Sequence, residues 1–262
     1  MTRDEIVALF ARRQVAVTHS LAMKMLGRTR REHYLNSMDR HGNLAVKLLR
    51  TFTAQTEALA KLRAVIETLR TGWVKGPFQP RPETPPVILA AAIASTAIET
   101  AGEIADGVIF NLFPLSRYAK AIEWLRRGRA KSGRDAGGYE VCHFTTCYLG
   151  DDRQACLDEA KRMLARYANL PFYGNMLAKA GFANEVEAVR AAMKARDVPK
   201  AEREVSNAMA DAVTLCGKPE ACRERLDEYG RAGATLIVAF PNPVGESRAA
   251  ATLRAIEGLA RR

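Results

Sequence analysis

The chain has 262 residues, of which 48% are hydrophobic and 26% are charged, and its net charge is +11. This length is enough for one large domain or two small ones with a sizeable core. The sequence has no stretch of eighteen apolar residues without a charge, and acids stand near the amino terminus where a signal peptide has an apolar region. These features exclude a membrane span and a secretory signal, and they predict a cytoplasmic protein.

The first part of the chain is basic and helical in pattern. Residues 1–71 contain 13 Lys/Arg against 6 Asp/Glu, and between residues 4 and 70 there is no proline. Apolar residues recur there at helical spacing, so residues 1–61 are predicted to form a basic helical segment. Arginines cluster at residues 28–31, but aromatic interleaving and zinc-ligand spacing are missing. We therefore interpret this cluster as a solvated helix face and do not expect nucleic-acid binding.

The pattern changes after a proline-rich loop at residues 76–86. Short apolar runs without polar alternation then alternate with helical stretches, which is typical of parallel strands buried on both faces. The four predicted strands are residues 87–90, 107–111, 139–148 and 234–240. The helical stretches are residues 96–104, 116–131, 152–166, 177–211, 220–232 and 247–259. This order predicts four β/α units in an α/β fold.

A collinear series of short motifs in this second region resembles the luciferase-like monooxygenase family. The motifs are AGEIADGVI at 101–109, SGRD at 132–135, Tyr173 with AGF at 180–182, and CRERL at 222–226 followed by AGA at 232–234. The resemblance implies a TIM-type (β/α) barrel, of which residues 62–262 would form the second half. The fold expected for the whole chain is thus a partial barrel of four β/α units preceded by an α-helical segment.

The resemblance also implies a function and a cofactor. Family members are oxidoreductases that transfer hydride or insert oxygen with FMN or the deazaflavin coenzyme F420, so this chain is expected to act on a small-molecule substrate. Activity would be impaired if the first half of the barrel is missing. Pairing of two half-barrels into a homodimer would complete a barrel. The alternative is a non-catalytic remnant or binding protein whose basic helices contact a partner.

Barrel enzymes react at the carboxyl ends of their strands, and this places the candidate residues. Ala92, Ser95 and Thr96 follow the first strand, where amides and hydroxyls at a helix start can hold a cofactor phosphate. Helix capping is the structural alternative for the two hydroxyls. Asn111 and His143 are the predicted substrate contacts, and for His143 the alternative is a core histidine with one hydrogen bond. No residue is predicted to be catalytic.

The five cysteines, at positions 142, 147, 156, 216 and 222, form no Cys-x-x-Cys pair. No histidines stand nearby at zinc-ligand spacing. The pattern therefore predicts reduced, structural thiols and no metal site.

Overall fold

The computed structural model describes residues 59–60, 62–67, 87–135 and 137–259. The chain divides into two compact units, Met1–Leu89 and Ala90–Arg262. In the first unit, residues 59–60 and 62–67 are helical, while the predicted helices at 1–58 lie outside the described residues. The predicted boundary after residue 61 stays a prediction.

The second part of the chain forms a parallel α/β sheet of five strands, as the apolar runs predicted. The strands are β1 (Leu89–Ala91), β2 (Gly107–Asn111), β3 (Glu140–Leu149), β4 (Leu215–Gly217) and β5 (Leu236–Pro241). β1 neighbours β2, β2 pairs with β3, and both β4 and β5 pair with β3. The four predicted strands are therefore confirmed as neighbours in one sheet. Sequence reasoning missed β4, a strand of three residues that directly follows a helix.

The central strand β3 is ten residues long and pairs with three other strands. β2 pairs with its first half, from Glu140 to Phe144. At Cys147 it pairs with Leu215 of β4 and with Pro241 of β5 at once. A strand has only two edges, so β4 continues along the edge that β2 occupies, and β5 lies on the other.

Nine α-helices follow the strands in the described part of the chain. They are α1 (Ser95–Ile104), α2 (Tyr118–Lys131), α3 (Arg153–Asn169), α4 (Pro171–Leu177), α5 (Ala183–Lys194), α6 (Val198–Glu204), α7 (Asn207–Val213), α8 (Pro219–Arg231) and α9 (Arg248–Leu259). None of the described helices is long and apolar enough to cross a bilayer.

Five helices follow one another between β3 and β4, where the sequence predicts only two helical stretches, at 152–166 and 177–211. Pro171 starts α4 directly after α3, and a π-helical turn with Gly181 at φ 108° separates α4 from α5. Proline lacks the amide hydrogen that continues a helix, and glycine tolerates positive φ. Gly181 therefore interrupts the stretch at 177–211 that was predicted as one helix, while Pro171 lies before that stretch.

Helices α1 and α2 pack with their backbones in close contact. A Cβ atom on Gly102 would overlap the Leu125 carbonyl, and one on Gly128 would overlap the Glu99 carbonyl. The Glu99 carboxylate binds Arg127 across the same contact, with an N to O distance of 2.6 Å. The two glycines therefore set the separation of these helices.

The motifs at 105–107 and 232–234 predict tight turns in which glycine supplies backbone freedom, and only the second is confirmed. Gly233, before β5, has φ 113° and needs the freedom of glycine, whereas Gly107 has no positive φ. Asp106 binds Arg134 at 2.9 Å, in agreement with a structural role for this acid. Asp152 caps α3 by accepting hydrogen bonds from the amides of Gln154 and Ala155.

Candidate functional site

The strand registers divide the side chains of the sheet between two faces. Phe110 lies beside His143, and Asn111 lies beside Phe144. Because successive residues of a strand point to opposite faces, Phe110 and His143 share one face while Asn111 and Phe144 share the other. The two predicted substrate residues, Asn111 and His143, are thus on opposite sides of the sheet.

His143 belongs to a packed aromatic cluster between the sheet and the helices α2 and α8. Its side chain is 0% exposed, its Nδ1 is 2.8 Å from the Tyr118 hydroxyl, and its ring stacks on Tyr229 at 3.8 Å. Burial lowers the pKa of His143 to about 3, with a smaller effect from Arg225, so the ring is neutral at physiological pH. This position favours the structural alternative, a core histidine with one hydrogen bond, over contact with substrate.

The opposite face carries a different set of side chains near the carboxyl ends of β2, β3 and β5. Asn111, Phe144 and Val238 lie in one row across the sheet, and Thr146 lies beside Phe240 in the next. The rings of Phe144 and Phe240 are nearly parallel, with centroids 6.0 Å apart. This face therefore combines a flat aromatic surface with polar groups, and all five residues are half-buried.

Thr146 supplies an unused polar atom on this face. Its Oγ1 is buried and lies near the Tyr148 hydroxyl, but among the described residues it makes no hydrogen bond of ordinary geometry. Buried hydroxyls almost always have a partner, because leaving one unpaired costs about 1–3 kcal/mol. The donor and acceptor of Thr146 therefore fit a polar group of a ligand lying on the sheet.

The start of α1 follows β1, where a phosphate contact is predicted. The N-cap residue is Ala94, whose methyl group cannot cap the helix. Ser95 and Thr96 are the first two residues of α1 and not its cap. The first intrahelical bond is donated by the Ile98 amide to the Ala94 carbonyl at 2.9 Å. The Ala92 amide is already used, since it donates to the Ile109 carbonyl at 3.1 Å.

All five cysteines are buried and free. Burial raises the pKa values of Cys142, Cys147, Cys216 and Cys222 to about 12, which keeps these thiols protonated and weakly nucleophilic. The described part of the chain contains no group of His, Cys, Asp or Glu side chains arranged to hold a metal ion.

A cavity of about 690 Å³ opens beside β4, between α7 and α8. Its basic side chains include Arg153, which binds Asp211 at 2.5 Å, and Arg225, which binds Glu228 at 2.6 Å. Acidic partners therefore balance both guanidinium groups.

The family model for luciferase-like monooxygenases matches residues 37–236, well over half of the chain. The chain belongs to this family. The resemblance seen in the sequence motifs is therefore confirmed.

Relatives match part of the chain at moderate identity. The 5,10-methylenetetrahydromethanopterin reductase of Methanolobus tindarius is 27% identical over 153 residues, which is 58% of this chain and 46% of that protein. An uncharacterized protein of Mycobacterium tuberculosis is 31% identical over 112 residues, 40% of this chain and 33% of that protein. The chain thus matches less than half the length of either relative.

Two solved structures share the fold. A coenzyme F420 dependent tetrahydromethanopterin reductase from Methanopyrus kandleri has a TM-score of 0.58 at 20% identity, covering 75% of this chain and 60% of that one. An F420-dependent secondary alcohol dehydrogenase in complex with an F420-acetone adduct has a TM-score of 0.60 at 12% identity, covering 82% and 66%. At these identities the likeness shows the fold, an α/β architecture of the (β/α)-barrel type.

Sequence reasoning missed two residues of the candidate site. Thr146 was placed on a strand but given no function, and only the register shows that it shares a face with Asn111. Tyr173 belongs to one of the family motifs, but its contact with Asn111 joins residues 62 positions apart in the chain. The alternation of side chains along the strand at 139–148 was the one signal that could have separated His143 from Thr146.

Proposed function

We propose that the chain is an oxidoreductase that binds FMN or the deazaflavin coenzyme F420 on the sheet face of Asn111, Thr146 and Phe240. The observation that carries the proposal is the unpaired Thr146 hydroxyl beside the aromatic pair Phe144 and Phe240. This face accommodates a flat ring system with polar edges, because the aromatic pair can contact the ring and the hydroxyl can bond to its edge. Membership of the luciferase-like family and the F420-dependent fold neighbours support the same cofactor class.

Each part of the site has a separate task in this proposal. The start of α1 at Ser95 and Thr96 holds the cofactor phosphate, since helix amino termini favour anions. Phe144 and Phe240 support the ring and keep water from one side of it. Asn111 and Thr146 fix its orientation. When bound, the cofactor supplies hydride transfer to or from a small organic substrate, and the protein supplies position and electrostatics.

Titration of the purified protein with FMN and with F420 tests the proposal through absorbance and fluorescence changes. We expect one of the two to bind with a Kd in the micromolar range. Thr146→Val, which removes the hydroxyl and keeps the shape, should weaken binding about three- to tenfold, as expected for one neutral hydrogen bond.

Thr145→Val is the matched control for this experiment. Thr145 lies one residue away on the helix-facing side, where its hydroxyl donates to the Val213 carbonyl at 3.3 Å. The control should lower stability without changing the Kd for the cofactor. Failure of both cofactors to bind the wild-type protein would favour the non-catalytic alternative, and equal effects of the two variants would contradict the assigned face.

A further inference from the structure

Asn111 and Tyr173 form a polar pair at the carboxyl end of β2. The Asn111 Nδ2 donates a hydrogen bond of 2.7 Å to the Tyr173 hydroxyl oxygen, which joins the sheet to α4 across 62 residues of chain. The Tyr173 ring is held in turn by Tyr167, whose ring is nearly perpendicular to it at a centroid distance of 4.8 Å. Both members of the pair are half-buried, so they are fixed in place and still accessible from one side.

The pair has unused hydrogen-bonding capacity. Because the Tyr173 oxygen accepts from Asn111, the phenolic hydrogen points elsewhere, and within the described residues it has no acceptor. The Asn111 Oδ1 and the second hydrogen of its amide are likewise without a partner in the described part of the chain. Burial raises the pKa of Tyr173, so the phenol keeps its hydrogen at neutral pH. The pair thus presents one acceptor, the Asn111 Oδ1, and two neighbouring donors, the Asn111 Nδ2 and the Tyr173 hydroxyl.

This pattern is complementary to a ring N–H next to a carbonyl. Such an arrangement occurs in the pyrimidine-2,4-dione edge of isoalloxazine and deazaisoalloxazine rings, where N3–H stands between two carbonyl groups. The amide of Asn111 can accept from N3–H and donate to one neighbouring carbonyl, as an amide does when it reads a base edge. The Tyr173 hydroxyl can then donate to the second lone pair of that carbonyl.

We propose that Asn111 and Tyr173 bind the N3–H and an adjacent carbonyl of the cofactor ring and thereby fix its orientation on the sheet. This inference rests on the proposed function and adds the polar edge that the chain recognises. FMN and F420 share that edge and differ elsewhere in the ring. The pair therefore selects the ring class and does not discriminate between the two cofactors.

Phosphate-free rings test the inference, because they exclude the contribution of the α1 start. The probes are riboflavin, 5-deazariboflavin and 3-methylriboflavin, and the readout is the Kd from fluorescence titration. The wild-type protein should bind riboflavin and 5-deazariboflavin within about threefold of each other. It should bind 3-methylriboflavin about tenfold or more weakly, since methylation removes the N3 donor and leaves the Asn111 oxygen unpaired.

Three variants assign the contact to its residues. Asn111→Leu should bind riboflavin and 3-methylriboflavin equally. Tyr173→Phe should weaken riboflavin about three- to tenfold while keeping discrimination against the methylated ring. Tyr167→Phe, the matched control on the neighbouring ring, should leave every Kd unchanged. Circular dichroism melts of all three confirm that the proteins are folded.

Each outcome distinguishes the inference from the proposed function. Discrimination that persists in Asn111→Leu, or a riboflavin Kd unchanged by Tyr173→Phe, overturns the inference and leaves the proposed function standing if FMN or F420 binds the wild-type protein. Failure of all the rings and both cofactors to bind overturns both.

Discussion

The contrast between His143 and Thr146 shows what a single residue contributes to this protein. The two lie three positions apart on β3, yet one is enclosed between helices and the other faces the candidate cofactor site. The pKa of His143 is lowered to about 3 in the folded protein, whereas the pKa of a histidine in an unfolded chain is about 6.5. At a pH between these two pKa values the unfolded state binds one more proton than the folded state. The contribution of His143 to the free energy of unfolding is therefore complete above about pH 6.5 and is lost as the pH decreases.

The prediction at the residue scale is that His143→Phe flattens this pH dependence. The wild-type protein should lose about 2 kcal/mol more stability between pH 7 and pH 5 than the variant does, corresponding to about 1.4 kcal/mol per pH unit below the unfolded pKa. Urea unfolding followed by circular dichroism at the two pH values measures the difference. Tyr118→Phe, which removes the partner of Nδ1 but keeps the histidine, should retain the wild-type pH dependence, and an identical loss in His143→Phe would contradict the prediction.

The packing of α1 against α2 is the feature that decides stability at the scale of elements. Gly128→Ala should destabilise the protein by about 1–3 kcal/mol, because the new methyl group would force two backbones apart. Gly230→Ala is the opposite case, since Gly230 lies in α8 with no atom within 4 Å of the added Cβ, and it should stabilise by about 0.5–1 kcal/mol. Chemical denaturation midpoints measure the stability change in each variant. Changes of the same sign in the two variants would refute close packing as the cause.

At the scale of the whole molecule, an exposed apolar pair on α9 bears on the oligomeric state of the protein. Leu253 and Ile256 lie on α9, one turn apart, and are 58% and 61% exposed. Such an apolar pair on a surface helix is typical of an interface, and symmetric dimers are the commonest assemblies. We therefore expect light scattering to give a mass about twice the 28.8 kDa of one chain. The homodimer predicted from the sequence would instead complete a barrel by pairing two half-barrels, so the α9 interface is a separate prediction.

The double variant Leu253→Glu with Ile256→Glu should shift the mass to that of one chain. Val198→Glu, at another exposed apolar position that is 39% exposed, is the control and should leave the mass unchanged. A wild-type protein that is already monomeric at high concentration, or a double variant that remains dimeric, would rule out α9 as the interface.

The sequence by itself determined the class of fold and the family. Unalternating apolar runs between amphipathic stretches are a local signal, so β1, β2, β3 and β5 could be predicted, and collinear motifs identified the luciferase-like family. The cap at Asp152 and the turn at Gly233 could be predicted for the same reason, because the chemistry of a cap or a tight turn involves neighbouring residues.

Only the tertiary structure decided which residues face the candidate site. The side of the sheet on which a side chain lies depends on its register with strands up to a hundred residues away, and a shift of one residue would exchange His143 for Phe144. The short strand β4 exists because the far half of β3 offers it a free edge. The contact between Asn111 and Tyr173 likewise arises from the packing of α4 near the end of β2, which no local pattern encodes.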